Sequence, residues 1–312
     1  HAAFQKALDN NDGLVLIPDG KYKIGATLKV PSNTEIKAMR NAYIFFADGA
    51  GKTNQDFLLT NADHVNGNEN ILVQGGIWDG NNPGNPRGPD APDSYTGVLM
   101  NFIHVKSLTV RKLTVRDAES YFIRIGEAYD FVVWDVRFES PNMRPNQDGV
   151  HLGGHCEKGY IVDLTGVGEA TNDDLVALNA DDALQRAQNL DLKCGPIQHI
   201  RISRIKAESC HSFVRLLSVR SRISDIKVKD IEGGCRCMAV NMDGCRECRV
   251  KLFDPADPQY AHGVGDIKSV HIQNMRVHKT SAEDQTPLIN FRSNVHNFRI
   301  EGFERNTQLD QS

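Results

Sequence analysis

Asn146-Gln147-Asp148-Gly149-Val150-His151-Leu152 and Asn172-Asp173-Asp174-Leu175-Val176-Ala177-Leu178 are two versions of one phrase, a polar turn followed by a short apolar strand. Superposed on their strands, Asp148 falls on Asp174, 26 positions later, and Asp173 immediately precedes it. A phrase that returns at this distance is what a solenoid produces, with neighbouring coils stacked at a strand spacing of roughly 4.8 Å. Such stacking crowds three carboxylates into one small area. Like charges that close repel and push each other's pKa apart. Folding offers no reason for the arrangement, whereas acid–base chemistry on a sugar does.

The repeat extends outward in both directions. Ile71-Leu72-Val73-Gln74, Leu108-Thr109-Val110-Arg111, Phe131-Val132-Val133-Trp134 and Tyr160-Ile161-Val162-Asp163 share one register. Ile200-Arg201-Ile202-Ser203, Ile223-Ser224-Asp225-Ile226, Val270-His271-Ile272-Gln273 and Phe298-Arg299-Ile300 continue it, mostly about 22 to 29 residues apart. A second strand follows within each unit, as at Ile123-Arg124-Ile125, Val150-His151-Leu152, Val176-Ala177-Leu178, Val214-Arg215-Leu216 and Leu288-Ile289-Asn290. Short β-branched strands separated by Gly, Asn and Asp at a fixed period read as an all-β parallel solenoid, each coil burying its inward residues against its neighbours. A β-sandwich would need hairpin spacing throughout, which is absent. Only Ala2 to Asn10 has helical spacing, through Phe4, Ala7 and Leu8, and residues 1–12 read as the cap on the open end of the stack. No linker divides the chain, so residues 1–312 read as a single domain. The Gly/Pro/Asn-rich stretch Asp79 to Asp93 is longer than a connector needs, which suits a loop at a binding cleft.

A net charge of −4 and the lack of any basic–aromatic stripe argue against a nucleic-acid or anionic-membrane partner. No apolar run of about 18 residues is present, so no helical span is expected. No signal peptide is visible at His1. Seven cysteines leave at least one unpaired within the chain. Cys235, Cys237, Cys245 and Cys248 include one C-x2-C, but the other spacing is wrong for a zinc knuckle, and structural cysteines are expected.

Residues alternate between faces along each second strand. With Val150, Leu152, Val176, Leu178, Val214 and Leu216 inward, the outward row is Arg124, His151, Ala177 and Arg215, with Asp148 and Asp174 at the strand entrances. This is a charged strip across several coils, and an elongated strip suits a polymer better than a compact metabolite. His151 reads as exposed by register, and Trp78 as either core packing or a sugar-stacking platform. Asp181-Asp182, outside the strand repeat, reads as solvated loop.

The order N-x-D-G, then N-D-D-x-V-A-x-N, then V-R-x-x after an I-x-I-x-x-I strand resembles glycoside hydrolase family 28, the polygalacturonases. Gly75-Gly76-Ile77-Trp78-Asp79-Gly80-Asn81 resembles that family's G-G-x-I-D-G-N segment, and the opening residues to about Phe46 look like the start of pectate-lyase-type β-helix proteins. The resemblance implies a right-handed parallel β-helix and cleavage of uronic-acid glycosides with inversion. It implies Asp173 as general acid, Asp148 and Asp174 as the pair activating water, and Arg215 as the arginine that binds a substrate carboxylate. His151, Arg124 and Trp78 are the further substrate-binding candidates. No metal or organic cofactor is implied, and the partner is a polysaccharide or oligosaccharide reached in a secreted or periplasmic setting.

Three departures accompany the likeness. The lysine of the family's R-I-K motif is Leu217 here; the literal Arg204-Ile205-Lys206 belongs to the preceding strand; and the G-H-G histidine has no counterpart, Cys194-Gly195-Pro196 occupying that region. His199 or His211 could replace that histidine only through an unexpected bend. Two other functions suit the same fold: a polysaccharide lyase or uronate epimerase using Ca2+ and an Arg or Lys base, and a non-catalytic carbohydrate-binding or tailspike-like β-helix.

Overall fold

The computed structural model describes residues 1–10, 13–181, 192–244, 258, 264–284 and 286–311. Cys245, Cys248, His262 and Asp182 lie outside the described residues. After the helix Ala2–Asp9 the chain winds into a right-handed parallel β-helix whose strands all join one continuous parallel ladder. Three strand columns form three faces. The first runs from Leu14–Ile17 through Thr34–Ala38 and Asn68–Gln74 to Val295–Arg305. The second starts at Gly20–Ile24 and Ala42–Phe46. The third runs Leu28–Val30, Leu59–Asn61, Met100–Ile103, Ile123–Gly126, Val150–Leu152 and Asp174–Asn179, then residues 212–217 and 240–243, ending on Ile289–Arg292.

Inward residues stack in rows. Ile71, Leu108, Phe131, Ile200, Ile226, Val270 and Phe298 occupy one row of the first column. The fourth coil enters this row at Gly159 rather than Tyr160, and the sixth at Ile226 rather than Ile223, correcting the sequence register at those two coils. Gly159 has a steric cause, because a Cβ there would lie 2.2 Å from the Phe131 ring. Tyr160 is thereby turned outward and is half-exposed.

The corners are built from residues with left-handed backbone. Asn33, Asn70, Ser107, Asp130, Lys158, His199, Asp225, Ser269 and Asn297 all have positive φ and stand at equivalent places before the first column. Lys112, Asp135, Asp163, Arg204, Asp230 and Asn274 do the same at the corner into the second column. Asn and Asp tolerate this geometry best, and their side chains also link coils, as in Asn70 to Asn33 at 2.8 Å and Asn274 to Asp230 at 2.9 Å. Nine Asp and Asn residues are explained in this way, and the three aspartates at the third column are not among them.

The helix covers the first coils as expected, ending at Asp9. Leu8 is fully buried, and Phe4 meets the edge of Trp78 with ring centroids 6.5 Å apart. Trp78 is fully buried and donates its indole N–H to the Gly75 carbonyl at 2.9 Å. It belongs to the core beneath the cap, and the sugar-platform expectation is corrected. Cys156, Cys210, Cys235 and Cys237 are free thiols, with Cys210 and Cys235 opposite each other in register on adjacent coils.

Candidate active site

The third column carries a ladder of side chains on its outward face that is polar at every coil except that of Ala177. Lys29, Thr60, Asn101, Arg124, His151, Ala177, Arg215, Asn241 and Asn290 follow one another in register across nine coils. Asp148 and Asp174 hold equivalent positions at the entrances of adjacent strands, and Asp174 is in turn opposite Ser212. The glycine after Asp148 is required by this stacking, since a Cβ on Gly149 would lie 2.5 Å from the Leu175 carbonyl of the next coil.

Asp148 is buried. Its carboxylate accepts the backbone N–H of Asp174 at 3.2 Å and faces His151 Nδ1 at 2.5 Å. Burial, followed by the charge of Asp173, pushes its pKa up to about 6 against the opposing pull of His151 and Arg215. Asp174 is also buried, with Arg215 Nη1 3.9 Å from its Oδ2. Burial and then the charges of Asp173 and Asp148 raise it well above the usual carboxylate range, opposed by Arg215 and a hydrogen bond from Ser212. Asp173 differs from both. Its side chain is 20% exposed, Asn146 Nδ2 donates to its Oδ2 at 3.2 Å, and His211 Nδ1 lies 3.6 Å from its Oδ1. The turn that presents it is held from the far side by Arg236, which donates to Asn172 Oδ1 at 2.8 Å.

His211, admitted from the sequence only through an unexpected bend, reaches the site without one. Aligning Val214 on Val176 puts Ser212 on Asp174 and therefore His211 on Asp173, one coil further along. The same superposition that revealed the aspartates contained this histidine, and no bend of the chain is needed. Asp173, Asp174 and His211 each offer a ligand atom within 4.8 Å of the other two, the one such trio found among the described residues. That closeness is shorter than the roughly 6.5–9.5 Å usual between the two carboxyls of an inverting glycosidase.

Two expected substrate contacts are corrected. Arg124 and His151 point away from the core as the alternation requires, yet both are fully buried. A small apolar cluster of Phe57, Val98 and Tyr121 roofs that part of the ladder. The Arg124 guanidinium lies 5.7 Å from the Phe57 ring centroid and donates Nε–H to Asn101 at 2.7 Å, while Tyr121 stacks on His151 at 3.8 Å. Outward on a strand does not mean exposed when the preceding turn folds back over it. Arg215 is 7% exposed beside Asp174, and Leu217, at the position of the missing lysine, is buried opposite Asn179.

Arg204 and Lys206 belong elsewhere, paired with Asp163 at 2.6 Å and Glu232 at 3.0 Å in a groove of about 840 Å3. Its charges answer one another, and none of the three aspartates lines it. Asp181, expected in solvated loop, is fully buried instead. It accepts the backbone N–H groups of Val219, Arg220 and Ser221 at 2.7–2.9 Å, together with the Ser221 hydroxyl at 2.6 Å.

The Asp79 to Asp93 loop reaches this site. Arg87 donates to Asn146 Oδ1 at 3.2 Å and to the Pro145 carbonyl at 3.0 Å, and Asn82 donates to the Asn142 carbonyl at 2.7 Å. The loop is tied on its other side by Asn85, which accepts the Gly51 N–H at 2.9 Å.

Comparison with known proteins gives a consistent placement. The family model for glycosyl hydrolases family 28 matches residues 14–245. A polygalacturonase of Brassica napus is 24% identical over 187 residues, covering 58% of this chain and 45% of that protein. A preneck appendage protein of Bacillus phage PZA is 37% identical over 82 residues, 26% of this chain and 9% of that protein. The chain therefore spans less than half the length of either relative. Among solved structures, an endo-xylogalacturonan hydrolase of Aspergillus tubingensis superposes with a TM-score of 0.63 at 14% identity, covering 97% of this chain and 88% of that one. At that identity the superposition speaks for the fold.

Proposed function

Given that the chain belongs to glycosyl hydrolase family 28, we propose that it hydrolyses glycosidic bonds in an acidic, uronic-acid-containing (pectin-like) or modified polysaccharide. The observation that carries this reading is the division among the three aspartates: Asp148 and Asp174 buried at equivalent positions of adjacent coils, Asp173 partly exposed beside them. In the proposed mechanism Asp173 protonates the leaving oxygen, and Asp148 with Asp174 draws a proton from the attacking water on the other face of the sugar; inversion of the anomeric centre is taken from the family resemblance, since Asp173 and Asp174 stand closer than inverting carboxyls usually do. Hydrolysis needs one carboxyl protonated while another is ionised. The charge of Asp173 is among the causes that raise both neighbours. With the proton of the acid on Asp173 that repulsion is gone, which favours the ionised form of the base pair.

Arg215 is proposed to bind a substrate carboxylate at the edge of the trio, with His211 holding Asp173 from the following coil. Arg124 and His151 support the floor from beneath their apolar roof. Such a polymer lies outside the cell, so a secreted or periplasmic setting goes with the proposal, as does residues 1–312 acting as one β-helix unit.

The test is a reducing-sugar screen over pectic and other acidic polysaccharides with the wild type and Asp173→Asn. The variant is expected to lose about 10²–10⁴ in kcat with its fold intact, and unchanged turnover removes the proposal. NMR of the first product formed tests the stereochemistry. A lyase is the second reading, because the Asp173–Asp174–His211 trio has the compactness of a cation site. A lyase would form an ultraviolet-absorbing unsaturated product and lose activity to a chelator.

A further inference from the structure

We propose that Arg87 is a positioning residue for the acid: through Asn146 it determines which oxygen of Asp173 holds the transferable proton. The inference rests on the reading of Asp173 as general acid. Arg87 contacts Asn146 Oδ1, and Asn146 Nδ2 contacts Asp173 Oδ2, both at 3.2 Å. A guanidinium has donors only, so the face of the Asn146 amide turned toward it must be the carbonyl. The amide NH2 is then turned toward Asp173, and it can only donate. Oδ2 is held as an acceptor and cannot direct a proton at Asn146. The hydroxyl oxygen of a carboxyl accepts more weakly than its carbonyl oxygen, so the amide contact favours Oδ2 as the carbonyl and the transferable proton on Oδ1, the oxygen 3.6 Å from His211.

Removal of Arg87 frees the amide to turn over. Its carbonyl can then accept a proton from Oδ2, storing it on the oxygen away from His211. Asn146 itself is not free to move aside. It has a left-handed backbone with φ of 64°, and the loop bearing Arg87 is tied to the Asn142 carbonyl through Asn82 and to the Gly51 N–H through Asn85. The loop therefore acts on the acid by fixing one amide, without touching the reacting atoms.

The experiment compares Arg87→Ala, Arg87→Lys and Asp173→Asn with the wild-type chain, on oligosaccharides of the polysaccharide that the reducing-sugar screen identifies, carrying either a phenyl or a dinitrophenyl group at the reducing end. Dinitrophenolate departs without a proton, whereas phenolate needs one. Arg87→Ala is expected to lose about two- to tenfold in kcat on the phenyl glycoside, with KM unchanged and with turnover of the dinitrophenyl glycoside kept, which also reports an intact fold. Arg87→Lys, again a donor only, restores the phenyl activity. Equal losses on both glycosides, or none on the phenyl glycoside, overturn the relay while leaving the acid assignment untouched. If Asp173→Asn is not itself selective for the phenyl glycoside, or the wild type turns over neither, the acid reading fails and the relay falls with it.

Discussion

Asp148→Asn is expected to abolish turnover while making the protein more stable at neutral pH. Moving the Asp148 carboxyl from 3.8 to about 6 means that the fold disfavours its ionised form by about 3 kcal/mol. The folded-state value lies above the unfolded one, so the native state binds more protons between these limits. Stability from this group is full below about pH 3.8 and is lost as pH rises through about 6. Asparagine cannot ionise, so it keeps that stability at every pH. Its Oδ1 can still accept the Asp174 N–H, and its amide can donate to His151 if the ring takes the other tautomer, so neither buried partner is orphaned. Unfolding entropy of about 2.1 cal/mol/K per residue over the 312 residues makes 1 kcal/mol worth about 1.5 °C. A gain of about 1–3 kcal/mol then raises Tm by roughly 2–5 °C, and by more if the solenoid melts in smaller cooperative units. Thermal melts of wild type and variant at pH 3.5 and pH 7.5 measure it: the two should coincide at the lower pH and separate at the higher. A variant that is less stable at pH 7.5, or an equal gap at both values, refutes the reasoning.

The other expectations are more local. His211→Gln should lower kcat more than it raises KM, read from initial rates on the preferred polysaccharide, because the ring lies 3.6 Å from the Asp173 carboxyl. Trp78→Phe should cost about 1 kcal/mol through loss of the buried hydrogen bond to Gly75, measured by denaturant titration, while KM stays unchanged; a raised KM would return Trp78 to the substrate. A chelator should leave reducing-sugar release unaltered, and loss of activity restored by Ca2+ would favour the lyase reading.

The fold was legible because a parallel solenoid writes its coils in order, so that strand repeats such as Leu108–Phe131–Ile200 stand in one dimension. Slips occurred where local composition misled. Gly159 carries no apolar side chain, yet it occupies a core row because Phe131 fills the space above it. Within the site, the pairing of Asp148 with Asp174 followed from the register alone, and the same register contained His211. What sequence could not reveal depends on neighbours brought in by the turns. Arg124 and His151 have the outward parity of exposed residues, and only Phe57 and Tyr121 folding over the ladder bury them. Asp181 looked like solvated loop because the backbone donors it satisfies, 219–221, lie 38 to 40 residues further on.

The separation of the aspartates follows from the fold with no further device. A step of one coil reproduces an environment, so Asp148 and Asp174 are both buried, both against the next coil's backbone or side chains, and both raised. A step of one residue changes the environment, so Asp173 emerges partly exposed while its neighbour Asp174 does not. An acid–base hydrolase needs two kinds of carboxyl within a few ångströms of each other. A tandem Asp-Asp beside a single Asp in the same register provides that division directly, and a pair related only by a coil repeat would not, because both members would share one environment. The chemistry proposed here therefore depends on Asp173 being adjacent to Asp174 in sequence as much as on Asp148 being adjacent to it in space.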